Sequence, residues 1–144
     1  IRYGKLDASM EDIVGACETV RASEFIETLP QKYDTYVEEG GSNLSQGQKQ
    51  LISFARTLIS DPKILILDEA TSSIDTKTEK LLQEGLQKLL ENRTSFVIAH
   101  RLSTIKSCDR IMYIDSKNIV EQGSHDDLME KQGAYYKLYT AQSV

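Results

Sequence analysis

Two adjacent carboxylates, Asp68 and Glu69, follow an unbroken apolar run at residues 64–67. Such a run is typical of a buried strand, which delivers the residues after it to the edge of a sheet. One carboxylate there suits Mg²⁺, which prefers oxygen ligands, and another suits a general base that orients a water molecule. The pair alone is also compatible with a solvated strand end. The residues that follow, Ala70, Thr71 and Ser72, favour a metal ligand and a general base over a solvated strand end.

Upstream of this pair, the string LSQGQ at residues 44–48 has the chemistry of a helix start. Ser45 and Gln48 have the S-x-x-Q spacing of a capping box, with the serine at the N-cap. The first backbone N–H groups of a helix have no acceptor within the helix, so they attract anions such as phosphate. The string is also compatible with a helix start and nothing more. The acidic strand downstream favours phosphate recognition.

Two further motifs follow the acidic strand: SSID at residues 72–75 and VIAHRLSTI at residues 97–105. In this order, LSQGQ, ILILDE, SSID and VIAHRLSTI resemble the signature motif, Walker B strand, D-loop and histidine switch of the ATP-binding-cassette (ABC) ATPases. The resemblance covers nearly the whole chain, from about residue 1 to residue 142. Each motif alone is weak evidence, whereas four at family-like spacing are specific.

The resemblance implies a role for each candidate site residue. Asp68 is expected to hold Mg²⁺, Glu69 to act as the general base, and His100 to sense the γ-phosphate of ATP. Residues expected to bind nucleotide lie in the signature motif and the D-loop: Ser45, Gln46, Gly47, Gln48 and Asp75. Asp75 is also expected to pass signals across a dimer. A lone histidine after a strand is more often structural, but its AHRLS context favours the sensor role.

Gln46 departs from the family pattern, which is usually LSGGQ with glycine at this position. A side chain there limits how closely the backbone approaches a ligand. Ser45, Gly47 and Gln48 match the pattern, so we expect the motif to keep its function.

The sequence is expected to represent the C-terminal part of an exporter-type nucleotide-binding domain, with the N-terminal P-loop half absent. IRYG at residues 1–4 resembles the segment after the Q-loop, and no GxxxxGK string followed by Ser or Thr occurs. We expect a helical signature subdomain at about residues 5–61 and the Walker B half of the ATPase core at about residues 62–144. Without a P-loop to hold ATP, the isolated chain is expected to be inactive.

The resemblance also implies partners. These are a second nucleotide-binding domain, in a homo- or heterodimer, and a transmembrane domain at the cytoplasmic face of the cell membrane. No apolar run in the sequence approaches the roughly 18 residues that span a bilayer. The net charge of -5 disfavours a nucleic-acid surface, so no nucleic-acid partner is expected. Cys17 and Cys108 lack metal-ligand spacing and are expected to be reduced packing residues.

Alternating strand and helix patterns predict an α/β fold, P-loop NTPase-like, with a mostly parallel sheet flanked by helices. Capping pairs are predicted at Ser9–Asp12, Ser45–Gln48, Thr76–Glu79 and Ser124–Asp127. Helices are predicted at residues 10–22, 24–28, 45–60, 76–92, 124–131 and after residue 133. Strands are predicted at residues 63–67, 94–99, 110–114 and 119–122, the last two joined as a hairpin by a turn at residues 115–118.

Three alternatives stay open at this point. DEAT at residues 68–71 resembles motif II of helicase ATPases, although helicases do not place an LSxGQ helix upstream. ABC-type ATPases of DNA repair and chromosome maintenance share the motifs, but they carry long coiled coils, which this sequence does not show. A third alternative is a non-catalytic fragment that offers its signature helix to a partner.

Overall fold

The computed structural model describes residues 1–68, 74–98 and 102–142. Its chain divides into two compact units, the first formed by Ile1–Ile66 with Thr71–Phe96 and the second by Leu67–Ala70 with Val97–Val144. No helix within the described ranges is both long and apolar enough to cross a membrane.

The N-terminal region is helical, as predicted, and no strand precedes residue 64. Helix α1 begins after Ser9, whose hydroxyl accepts the backbone N–H of Asp12 in the predicted capping box. It ends earlier than predicted because Arg21 adopts a left-handed backbone conformation, with φ of 65°. The bounds of the helices here are α1 Met10–Thr19, α2 Ser23–Ile26 and α3 Gln46–Ile59, and short 3-10 turns lie at Arg2–Gly4, Lys32–Asp34 and Glu39–Gly41.

Helix α3 is the central element of this region, because it packs against α1 and against the later helix α4 (Thr76–Leu90). Its buried side chains recur at helical spacing, at Leu51, Phe54 and Ala55. Burying a side chain such as Leu51 stabilises the fold by roughly 1.5–3 kcal/mol. Cys17 of α1 is a buried free thiol, as predicted, and burial raises its pKa to about 11.

The start of α4 differs from the prediction that paired Thr76 with Glu79. The N-cap is Asp75, whose carboxylate accepts the backbone N–H of Thr78 at 3.0 Å. Thr76 is therefore the first helical residue rather than the cap. Aspartate is among the best N-cap residues because its side-chain oxygen reaches the N–H two or three residues on.

Strands β1 (Ile64–Asp68) and β2 (Thr94–Ile98) are hydrogen-bonded neighbours in one sheet, with α4 between them along the chain. A helical crossover of this kind is the connection that parallel strands need. The strands begin side by side because Arg93 joins them, its guanidinium donating to Asp61 at 3.0 Å and to the Pro62 carbonyl at 3.2 Å. The predicted α/β fold is therefore confirmed.

One face of this sheet is covered and the other is not. Leu65 is 5% exposed, whereas Ile64 and Ile66 on the opposite face of β1 are 62% and 74% exposed, and Phe96 of β2 is 50% exposed. Strands with apolar residues on both faces are typical of parallel sheets covered on both sides. We call Ile64, Ile66 and Phe96 the open sheet face.

The second unit contains α5 (Leu102–Lys106), a hairpin and two C-terminal helices. The hairpin is confirmed: β3 (Ile111–Asp115) pairs antiparallel with β4 (Asn118–Gly123). Its turn needs only Ser116 and Lys117, both with positive φ, as in two-residue hairpin turns. Helix α5 overlaps the expected histidine switch at residues 97–105, where the sequence pattern predicts no helix.

Helices α6 (His125–Lys131) and α7 (Ala134–Gln142) pack with the hairpin. Tyr135 is buried with Ile111 and Leu128, so its ring packs in the core of this unit. Its hydroxyl lies 2.8 Å from Nδ1 of His125, the first residue of α6. The predicted Ser124–Asp127 capping box is present.

Glu121 of β4 holds the start of α7. Its carboxylate accepts the backbone N–H groups of Ala134 at 2.6 Å and Tyr135 at 3.1 Å. These hydrogen bonds hold the pKa of Glu121 below its usual value. The ionised carboxylate therefore holds α7 to the hairpin more strongly than the protonated carboxyl does.

We expect Ile66→Glu to weaken self-association of the isolated chain. A chain with an exposed apolar sheet face tends to associate through it. Because burying one isoleucine contributes roughly 1.5–3 kcal/mol, the dissociation constant should rise about tenfold or more. Sedimentation velocity over a concentration series measures it, with Gln87→Glu on exposed α4 surface as the charge-matched control. Equal association of both variants would contradict the role of this face.

We expect acid to release α7 from the hairpin. Because the folded-state pKa of Glu121 is lowered, its stabilisation is present above the unfolded value of 4.5 and disappears as the pH falls through the folded-state pKa. Hydrogen exchange should report lower protection of the Ala134 and Tyr135 amides over that range. Glu121→Gln should lose most of this pH dependence, and Glu130→Gln on exposed surface should keep it. Protection that is the same at all pH values would oppose this role.

Candidate functional site

The start of α3 has the capping box that the sequence predicts. Ser45 has extended backbone angles and its hydroxyl accepts the N–H of Gln48 at 3.2 Å. In return, the Gln48 side-chain oxygen accepts the N–H of Ser45 at 2.9 Å. Two backbone donors at the helix start are thus satisfied by side chains.

This helix start is open to a ligand on one side. Ser45 and Gln46 are exposed, and the first turn of α3 contains no acidic residue. The backbone N–H groups of the first helical residues, Gln46 and Gly47, have no acceptor within the helix. Together with the helix dipole they create a positive potential that favours an anion.

Gly47 faces the inside of the chain rather than solvent. It is buried, and a Cβ atom added to it would overlap the methyl group of Thr78 and lie 3.3 Å from Cγ2 of Ile74. Gly47 therefore lets the first turn of α3 approach the first turn of α4. This contact could not be predicted from the sequence, since the two residues belong to different elements.

Asp75 is placed by its role as the N-cap of α4. The backbone N–H and the hydroxyl of Thr78 form hydrogen bonds that hold its pKa below the usual value. It is exposed, and its carboxylate is ionised at neutral pH. The expected role of Asp75 across a dimer stays a prediction, and its observed role is within the chain.

Asp68 is the last residue of β1 and is exposed, so its carboxylate is at the strand end that the sequence predicts. Glu69 and His100 lie outside the described residues. Among the described residues, no group of three or more His, Cys, Asp or Glu side chains is arranged to hold a metal ion. The single exposed carboxylate of Asp68 has the donor chemistry for Mg²⁺ carried by a nucleotide, which needs only one or two protein carboxylates because phosphate oxygens and water supply the rest.

Comparisons with known proteins agree with these motifs. The family model described as "ABC transporter" matches residues 7–72. The chain is 53% identical over 142 residues to an uncharacterized ABC transporter ATP-binding protein, YfiC, of Bacillus subtilis (strain 168), covering 99% of this chain and 24% of that protein. It is 51% identical over 142 residues to the ATP-dependent lipid A-core flippase of Desulfotalea psychrophila (strain LSv54 / DSM 12343), covering 99% of this chain and 25% of the flippase.

The fold agrees as well. The structure of a bacterial Atm1-family ABC exporter with ATP bound matches 99% of this chain with a TM-score of 0.86 and 42% sequence identity, over 25% of its own length. The predicted resemblance to the ABC transporter family is therefore confirmed for sequence and fold. The chain spans about a quarter of the length of the curated relatives it matches.

Ser45 variants should show how much the capping box contributes to the stability of the chain. Ser45→Ala removes the cap and should lower the free energy of unfolding by about 1 kcal/mol, whereas Ser45→Asp retains a capping oxygen and should change it little. Denaturant unfolding of the chain measures both, with Ser53→Ala, at an exposed position of α3 outside the capping box, as the control. Equal stability of Ser45→Ala and the unmodified chain would show that the capping box does not support α3.

Proposed function

We propose that the chain is the C-terminal part of the nucleotide-binding domain of an ABC exporter, which binds and hydrolyses ATP to drive transport across a membrane. The observation that carries the proposal is its match, over 99% of its length, to an exporter structure with ATP bound. The named relatives support an exporter over a helicase or a DNA-repair ATPase, because they are ABC transporter proteins and lipid A-core flippases.

The start of α3 is the proposed phosphate-binding element. Ser45 and Gln46 are exposed at a helix N-terminus without a first-turn acid, so no carboxylate of that turn repels a phosphate at its N–H groups. By family resemblance, that phosphate belongs to ATP held by the P-loop of a second nucleotide-binding domain. Gln48 supports the element through its hydrogen bond with Ser45, and Gly47 supports it through its packing on α4.

The acidic end of β1 is the proposed hydrolytic element. Asp68 would hold the Mg²⁺ that accompanies ATP, and the ion, when bound, neutralises charge on the phosphate oxygens. Glu69 would accept the proton of the attacking water, and His100 would hydrogen-bond the γ-phosphate. Asp75, fixed at the start of α4, would contact the opposite domain and pass signals between the two domains of the dimer.

The partners follow from the same proposal. The chain comprises the helical signature subdomain, about residues 5–61, and the Walker B half of the core, about residues 62–144. The remainder of the core, which contains the P-loop, would cover the open sheet face of Ile64, Ile66 and Phe96. The complete domain would pair with a second one and attach to a transmembrane domain at the cytoplasmic face of the membrane. The isolated chain would be inactive because its sequence contains no GxxxxGK string followed by Ser or Thr, the motif that cradles the β- and γ-phosphates.

We expect Glu69→Gln in the complete protein to preserve ATP binding and slow hydrolysis. Loss of a positioned general base costs about 10²–10⁴-fold in rate. That loss corresponds to roughly 3–5 kcal/mol in the activation barrier. Steady-state phosphate release and equilibrium binding of MgATP are the two measurements.

Glu130→Gln, at an exposed position of α6, serves as the matched control and should hydrolyse ATP normally. Turnover of Glu69→Gln at the rate of the unmodified protein would remove Glu69 from its role. Failure of both proteins to bind MgATP would refute the proposed function as a whole.

A further inference from the structure

Thr78 contacts the first turn of α3 through its methyl group. Cγ2 of Thr78 lies where a side chain at position 47 would begin, and the Thr78 Cβ atom is 3.4 Å from that point. Gly47 is buried beneath it. The methyl group therefore fills the space that the missing side chain of Gly47 leaves, and the two helix starts meet at van der Waals distance.

The rest of Thr78 is engaged by Asp75. Its backbone N–H donates to Asp75 Oδ1 at 3.0 Å. Threonine is β-branched and stiff at χ1, so a backbone held at this point also holds the methyl group in place. Thr78 thus joins the N-cap of α4 to the buried face of the α3 first turn.

We propose that Thr78 is a positioning residue, which sets the place of the phosphate-binding start of α3 relative to Asp75 by packing its methyl group on Gly47. The inference rests on the proposed function of Ser45 and Gln46. It adds that the glycine at position 47 serves contact within the chain, and that this contact joins the signature motif to the D-loop.

A side chain at position 47 must displace one helix start. Carbon atoms in contact lie about 3.5–4.0 Å apart, so relieving the overlap with Thr78 moves the first turn by on the order of 1 Å. Misplacement of about 1 Å is enough to slow a reaction about 10²-fold when it disturbs the alignment of a catalytic site. Binding of ATP to the domain that carries the P-loop does not depend on this alignment.

The test uses ATP hydrolysis by the complete protein. Gly47→Ala should lower kcat by about 10–100-fold and leave KM for ATP nearly unchanged. Gly47→Ala with Thr78→Ser should recover most of that loss, because serine keeps the hydroxyl and lacks the overlapping methyl. Gly47→Ala with Thr78→Val should recover nothing, because valine keeps a methyl at the overlap.

Gly15→Ala is the matched control. Gly15 is also a helical glycine, but an added Cβ there meets no atom within 4 Å. This variant should keep full activity and be slightly more stable, by the usual preference of helices for alanine. This control distinguishes the effect of replacing any helical glycine from the effect of disturbing the contact at Gly47.

Thr78→Ile tests the same contact from the α4 side, in a protein that keeps glycine at position 47. The added bulk pushes on the α3 first turn from the α4 side, so kcat should fall about tenfold with little change in KM. This variant keeps the test informative if Gly47→Ala does not fold, which a thermal unfolding curve would reveal.

Three results would overturn the inference: normal kcat in Gly47→Ala, normal kcat in Thr78→Ile, or no gain from Thr78→Ser in the Gly47→Ala background. The last result, with Glu69→Gln behaving as expected, would mean that Gly47 serves contact with the nucleotide alone. The proposed function would then stand without the positioning role of Thr78.

Discussion

The pair of hydrogen bonds between Ser45 and Gln48 is the interaction on which the first unit depends. It gives α3 a defined start by satisfying two backbone donors there, and α3 carries Leu51 and Phe54 into contact with the neighbouring helices. The capping box therefore supports the core as well as the phosphate-binding end.

Features encoded within a few residues were predictable. The capping boxes at Ser9, Ser45 and Ser124 formed as the sequence indicates, because each needs only a side chain and a backbone group three residues apart. The β3–β4 hairpin was predictable for the same reason, since its turn is set by adjacent residues. Asp68 at a strand end followed from the apolar run before it.

Features that depend on contacts between distant segments were not predictable. Asp75 and Thr76 are both good caps, and only the helix register, set by packing of Leu82 and Leu89, decides in favour of Asp75. The carboxylate of Glu121 at the start of α7 is a contact between residues far apart in sequence. The same holds for Gly47 and Thr78, which belong to two helices separated by a strand.

The two neighbouring positions of the signature motif differ in their tolerance to substitution. Residue 46 is exposed, and this sequence carries glutamine there in place of the glycine of the usual LSGGQ pattern. Residue 47 is buried against Thr78 and Ile74, so any larger residue requires a change in α4 as well. Packing within the chain therefore does not restrict substitution at the first position, whereas at the second a substitution requires a coordinated change in a separate helix.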